Sequence, residues 1–226
     1  AQQSYNGIYY YKQNFNGSPV IYISGYSPDS PKNLVIPEHI NNIPVRYINR
    51  ESFLDTRIIS VVIPKTVKQI FPKAFNAYVL KEVVLKATTP PILDSDSFLY
   101  SPSFSLIVPE ESLNAYKNDP YWNRLKPKVR PSISFENQTK EFTNNPITLN
   151  AISNSGGKII YSIVEGGSAT ASLSGERNEI LQVTSFGTVK IRATVLEKGD
   201  YVSNSITSTL FITPAIGAEF SKDGFV

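Results

Sequence analysis

Catalysis near neutral pH needs a group that trades protons there, or a nucleophile held beside a base, and this chain is poor in both. It has one histidine, His39 in Pro37-Glu38-His39-Ile40, and no cysteine. A Ser-His-Asp arrangement therefore has one possible base, and a Cys-His arrangement has no thiol. The position of His39 just after an Ile-Pro turn predicts solvent exposure rather than a role in a site. Metal sites built from His and Cys are excluded by count. A hard-cation site of carboxylates, for instance around Asp94 and Asp96, lacks a D-x-D-x-D-G loop, so these read as solvated turn acids. No G-x-G-x-x-G or G-x-x-x-x-G-K-[ST] phosphate cradle occurs. Paired carboxylates of the glycosidase kind meet only in space, and nothing in the sequence points to a pair. The expectation is a protein with no catalytic residue, no cofactor and no metal.

What remains is the chemistry of recognition. Tyrosine is concentrated near the start, at Tyr5, Tyr9, Tyr10, Tyr11, Tyr22 and Tyr26. Tyr combines a large apolar face with a hydrogen-bonding tip, which suits an interface. Alternation along a strand turns about half of such residues inward. Tyr9, Tyr11 and Tyr22 are the candidates for partner contact.

The elements that must position such residues repeat. The segments Leu34-Val35-Ile36-Pro37, Val61-Val62-Ile63-Pro64, Val83-Val84-Leu85-Lys86 and Leu106-Ile107-Val108-Pro109 superpose at spacings of 27, 22 and 23 residues. A second column, Phe53, Phe75 and Phe98, recurs at 22 and 23. The surplus in the first unit is placed at Pro44-Val45-Arg46-Tyr47, as an insertion at a turn. Each unit is a short apolar strand, a turn at Pro and a return through Phe. One such unit cannot bury its apolar face alone, so units must stack with strands in parallel and the Phe residues forming an inner ladder. Period-2 alternation then turns the middle strand residue outward, which predicts an aliphatic stripe of Val35, Val62, Val84 and Ile107 as a contact surface.

The repeated strand, the Ile-Pro turn and the Ser52-Phe53, Ala74-Phe75 and Ser97-Phe98 pairs resemble the BspA-like class of leucine-rich repeats over residues 5–126. Thr88-Thr89-Pro90-Pro91 and Val108-Pro109 with Tyr116 and Trp122 look like its closing repeats. The resemblance implies a bacterial surface protein that adheres to host matrix proteins or other cells. A solenoid needs closed ends. Ile8 to Tyr11 and Val20 to Ile23, around Asn14, Asn16, Gly17 and Ser18, predict a capping hairpin. Pro109-Glu110-Glu111-Ser112-Leu113 predicts a helix start, with carboxylates at the positive end of the helix dipole, running to about Lys117. Trp122 is expected to pack over the last repeat with Tyr116; stacking on a ligand is the alternative.

After Pro127 to Pro131 the periodicity changes. Runs at Ile133–Phe135, Ile147–Ile152, Lys158–Val164, Ala169–Leu173, Ile180–Val183, Thr188–Val195 and Ile206–Thr213 predict an antiparallel sandwich. Val189, Ile191, Ala193 and Val195 fall on one face. The order of these strands, ending in Ile212-Thr213-Pro214-Ala215, resembles bacterial immunoglobulin-like repeats, which implies a spacer over 132–215.

The expected fold class is thus mainly β with two domains. Residues 1–127 form a leucine-rich-repeat solenoid with a capping hairpin and helix, 128–131 a linker, 132–215 an immunoglobulin-like β-sandwich and 216–226 a tail. Across 226 residues, 22 basic and 19 acidic side chains are interspersed, which gives no reason to invoke nucleic acid. Arg124, Lys126, Lys128 and Arg130 read as a solvated linker. No apolar run reaches the roughly 18 residues of a spanning helix. The chain has no Met, so its start is expected to follow processing or trimming, and Ala1-Gln2-Gln3 suits a position just past a small-residue signal-peptidase site. Export to the cell surface or medium is what the family resemblance implies. The expected function is a non-enzymatic, adhesin-like binding protein whose solenoid meets a protein partner. The alternative is a carbohydrate-binding or polysaccharide-processing accessory in which exposed Tyr and Trp stack on sugars.

Overall fold

The structure is a computed structural model that describes residues 1–99, 101 and 103–215, together with the backbone of two short strands beyond them. The chain divides into two compact units, Ala1–Val129 and Arg130–Val226.

The first unit opens with three antiparallel strands, β1 (Gln3–Tyr5), β2 (Ile8–Phe15) and β3 (Ser18–Tyr26). They turn at Asn6-Gly7 and Asn16-Gly17, where all four residues have positive φ. Asn-Gly takes this conformation at little cost, and the resulting turn matches the twist of a tight hairpin. Coiling then begins, through β4 (Asn33–Val35), β5 (His39–Ile40), β6 (Ile43–Ile48), β7 (Ser60–Ile63), β8 (Gln69–Ile70), β9 (Glu82–Leu85), β10 (Ile92–Leu93) and β11 (Ser105–Ile107). Each full turn gives one strand to each of two sheets. One is wholly parallel in the order β11-β9-β7-β4; the other runs β1-β2-β3-β6-β8-β10 and is parallel from β3 onward. This is a mainly β solenoid of stacked coils with little helix.

Its core lies between the sheets. Leu34, Val61, Val83 and Leu106 stand in register on one wall, Ile23, Ile48, Ile70 and Leu93 on the other, and all are buried. The Phe ladder runs between them. Phe53 and Phe75 stack with centroids 4.8 Å apart, Phe75 and Phe98 with 4.9 Å. Two of the three small residues that precede the Phe rings also tie neighbouring coils together. The Ser52 hydroxyl donates to Ile23 O and that of Ser97 to Ile70 O, so each closes a hydrogen bond onto the neighbouring strand.

A 3-10 turn at Glu110–Ser112 and the helix α1 (Leu113–Asn118) follow β11. Tyr116 and Trp122 are fully buried and meet edge to face at 5.5 Å. Trp122 Nε1–H donates to Pro91 O and the Tyr116 hydroxyl to Ala87 O, each at 2.7 Å. Both polar tips are satisfied inside, so Trp122 has no ring face to offer a ligand.

Three expectations need correction here. Pro44-Val45-Arg46-Tyr47 is no turn insertion: it lies in β6, and the surplus is a hairpin in which β5 pairs antiparallel with β6 around Asn41-Asn42, both at positive φ. The capping hairpin extends the second sheet edge-on, β3 pairing parallel with β6. The expected linker 128–131 begins inside the solenoid, because Lys128 bridges Ile107 in parallel and Val129 is buried.

In the second unit, β12 (Ile133–Ser134), β13 (Gln138–Glu141), β14 (Ile147–Thr148), β15 (Ile152–Ser153), β16 (Ile159–Val164), β17 (Ala171–Ser174), β18 (Ile180–Val183), β19 (Gly187–Val195) and β20 (Asn204–Thr213) form sheets ordered β13-β20-β19-β16, β14-β18-β17 and β12-β15. Val189, Ile191, Ala193 and Val195 share one core with Leu181 and Val183 of the second of these sheets. The run expected at Ile147–Ile152 breaks into β14 and β15, which join different sheets. The strand β13 was not expected, and it pairs parallel with β20. Beyond them β21 (Phe220–Ser221) pairs antiparallel with β22 (Gly224–Phe225), while the rest of the expected tail 216–226 lies outside the described residues.

Candidate functional surfaces

The outward side of the parallel sheet carries the predicted stripe in part. Val35, Val62 and Val84 are adjacent in register, with Val35 68% exposed and the other two half-buried. Ile107 completes the column by register with Val84 yet is only 4% exposed. The reason is that β11 is not the sheet's last backbone. Lys128 N–H donates to Leu106 O and Val108 N–H to Lys128 O, so the returning chain lies alongside Ile107. Two residues earlier, the column Asn33, Ser60, Glu82 and Ser105 is polar, and Ser60 Oγ donates to Asn33 Oδ1. The stripe is thus three aliphatics beside a hydrogen-bonding border.

The second sheet presents a different column. Across β2, β3, β6, β8 and β10 the register aligns Tyr11, Tyr22, Tyr47, Gln69 and Ile92. Tyr22 and Tyr47 stack with centroids 4.4 Å apart, and Phe15 and Phe71 approach Tyr47 at 6.5 and 6.1 Å. Phe15 is 54% and Ile92 62% exposed. Partial burial, and secondly the neighbouring Tyr47, push the Tyr22 phenol above its ordinary pKa, so the Tyr22 ring carries no charge near neutrality.

The predicted tyrosines therefore separate. Tyr11 and Tyr22 join this column, while Tyr10 and Tyr26 are core residues. Tyr9 is half-buried over Gly25, where a Cβ would come within 3.2 Å of the Tyr9 ring. Its position is that of an aromatic shielding a strand glycine. Tyr47, Phe71 and Phe15 escaped the sequence reading. The signal that could have found them is the 22- and 23-residue spacing of Tyr47, Gln69 and Ile92, hidden by three unlike side chains.

The remaining chemistry-bearing residues stay apart. His39 is exposed on β5. Asp94 and Asp96 sit in a turn where Asp94 N–H donates to Ser97 Oγ and Ser97 N–H to Asp94 O. Among the described residues no three His, Cys, Asp or Glu side chains gather as metal ligands, and no helix is long and apolar enough to cross a membrane.

No family model matches the chain, and no curated protein matches it either. Among solved structures it is similar to a leucine-rich repeat protein from Bacteroides capillosus, at 17% identity over 48% of this chain and 98% of that one, with a TM-score of 0.37. The solenoid itself is established by the two strand ladders and the Phe ladder described above.

Proposed function

We propose that the chain is a non-enzymatic, adhesin-like binding protein of the BspA-like leucine-rich-repeat kind, exported to a bacterial surface or secreted. The solenoid meets a protein partner, on host matrix or another cell, and the second unit acts as an immunoglobulin-like spacer. The observation that carries this reading is the row of Val35, Val62 and Val84. It leaves aliphatic side chains on the outside of a sheet whose inward positions are sealed. Aliphatics aligned beside a polar border are the composition of an interface centre and rim. A panel of matrix proteins immobilised and probed with the chain tests it. The expected result is saturable binding that Val35→Asp and Val62→Asp abolish while the fold persists. Normal binding by those variants, or binding to no protein on the panel, overturns it.

A second reading, a carbohydrate-binding accessory, is favoured by the aromatic column of Tyr11, Tyr22 and Tyr47 on the other sheet. Rings flanked by amides are the means by which proteins hold sugars, combining an apolar bed with hydrogen-bonding groups. A glycan array separates the two readings, since substitution of the tyrosines affects only the second.

A further inference from the structure

The closing end of the solenoid holds a cavity of about 220 Å³, between the turn that follows β10 and the 3-10 turn Trp122–Leu125 beyond α1. Leu93, Phe98 and Leu125 give it an apolar lining, and Asp94, Tyr121 and Arg124 bring polar groups to the same space. Both walls are set before any ligand arrives. On one, Asp94 N–H donates to Ser97 Oγ, and the Ser97 hydroxyl ties that turn to Ile70 O. On the other, Asp119 Oδ1 accepts from the N–H groups of Tyr121 and Trp122, and the Trp122 side chain is anchored inside by its bond to Pro91 O. Tyr121 and Arg124 thus stand exposed on either side of a residue that is fully buried. A site formed in advance loses little ordering entropy when it is filled.

The two charges lining this cavity do not neutralise one another. Among the described residues neither the Asp94 carboxylate nor the Arg124 guanidinium forms an ion pair, with each other or with any third group. Arg124 lies over the Tyr121 ring, its guanidinium carbon 5.8 Å from the ring centre. Stacking of this kind uses the face of the guanidinium and leaves its in-plane N–H fork for a carboxylate. The cavity therefore offers a partner for a cation, a partner for an anion and an apolar floor, all within reach of one small molecule. A ligand with a single charge would leave the other side chain facing apolar matter without a partner. Size sets the second limit. The volume is below the roughly 300–1,000 Å³ of pockets that enclose drug-sized ligands, and it equals about seven waters at about 30 Å³ each. That leaves room for one residue and none for a polymer. We propose that the cavity binds a free apolar α-amino acid as its zwitterion, with the ammonium at Asp94, the carboxylate at Arg124 and the side chain on Leu93, Phe98 and Leu125. This site is separate from the valine row and from the tyrosine column, and its filling depends on neither.

Titration of the whole chain with L-leucine and L-phenylalanine, followed by amide-resolved NMR, tests it. The expected result is saturable shifts centred on residues 93–99 and 121–125 for at least one of the two, with a Kd of about 1 mM or tighter. N-acetyl-L-leucine lacks the ammonium and L-leucinamide lacks the carboxylate, so each should bind at least tenfold more weakly than leucine. Glycine, which has no side chain to bury, should not bind. Asp94→Asn and Arg124→Gln should each weaken the free amino acid at least tenfold with an unchanged melting temperature, since neither side chain holds an ion pair in the fold. Asp94→Asn should make no further difference to N-acetyl-L-leucine, because the group it would have met is already missing; a merely structural loss would weaken every ligand alike. Absence of saturable shifts with both amino acids would overturn the proposal. So would equal binding of N-acetyl-L-leucinamide, full binding by either variant, or shifts centred elsewhere on the chain.

Discussion

Phe53 and Phe75 stack within the solenoid with ring centroids 4.8 Å apart and planes 10° from parallel, and Phe75 repeats that relation to Phe98 at 7°. Phe75 is therefore packed on both faces, while each neighbour has a different residue on its far side: Tyr26 tilted against Phe53, Trp122 edge-on to Phe98. Truncating the middle ring leaves a cavity that neither coil can close, because the adjoining backbones are fixed by hydrogen bonds from Phe53 N–H to Ala74 O and Phe75 N–H to Ser97 O. Phe75→Ala should cost about 3–5 kcal/mol and Phe75→Leu clearly less. Urea unfolding followed by tryptophan fluorescence checks this, with Trp122 reporting from the far end of the same core.

Val35 and Ile107 occupy the same outward column but should respond oppositely to charge. Val35 lies on the edge strand and is mostly in water, so Val35→Asp should change stability by no more than about 0.5 kcal/mol. Ile107 is covered beside the returning chain at Lys128, and an aspartate there would be buried without a partner. Ile107→Asp should cost several kcal/mol, about 3 or more. Comparing the urea midpoints of the two variants decides it. Near-equal midpoints would mean that Ile107 belongs to an open stripe after all.

How much of this could be read from the sequence depends on how alike the stacked residues are. The aliphatic columns at 34–36 and the Phe column repeat one chemistry at nearly constant spacing, so they stand out. The second sheet obeys the same spacing, yet its outward position is Tyr47, Gln69 and Ile92, and its strands β8 and β10 are two residues each. A strand that short shows no alternation, and the helix or strand preference of two residues decides nothing. Pro44 made the start of β6 resemble a turn; it is tolerated because β6 begins as the far arm of the β5 hairpin. The edge strand β13, Gln-Thr-Lys-Glu, is exposed on nearly every residue and so lacks any apolar signature. The stripe was legible as a column, but the burial of Ile107 was not, since it depends on chain arriving from 21 residues later.

Tyr9 separates a structural tyrosine from those proposed to bind. Its ring lies over Gly25 at a point where the register between β2 and β3 shifts, between Tyr9 and Tyr10. Removing the ring bares a strand glycine and the bulge beside it. Tyr9→Ala should lower stability by about 1 kcal/mol and leave glycan affinity unchanged, whereas Tyr22→Ala should abolish that affinity. Thermal melts and glycan binding on the two variants give the comparison, and loss of binding in the Tyr9 variant alone would reverse the assignment.

The closing cap should give the solenoid an alkaline limit. Tyr116 is fully buried and donates its hydroxyl to Ala87 O, and burial pushes its phenol well above the ordinary tyrosine pKa of about 10. In the unfolded chain the same phenol ionises near that ordinary value. The folded state therefore binds this proton more tightly, so the contribution is fully present below about pH 10 and is lost as pH rises beyond it. Tyr26, raised by burial against the opposing hydrogen bond from Ser30, adds in the same direction. Tyr116→Phe removes one hydrogen bond and leaves the Ala87 carbonyl without this donor, so it should cost about 1–2 kcal/mol at pH 7. It should also flatten the fall in stability between pH 10 and 11.5, because the variant has no proton to lose there. Denaturation midpoints of both proteins across that interval check the sign. A variant whose stability falls as steeply as the parent would show that the alkaline limit lies elsewhere than in the cap.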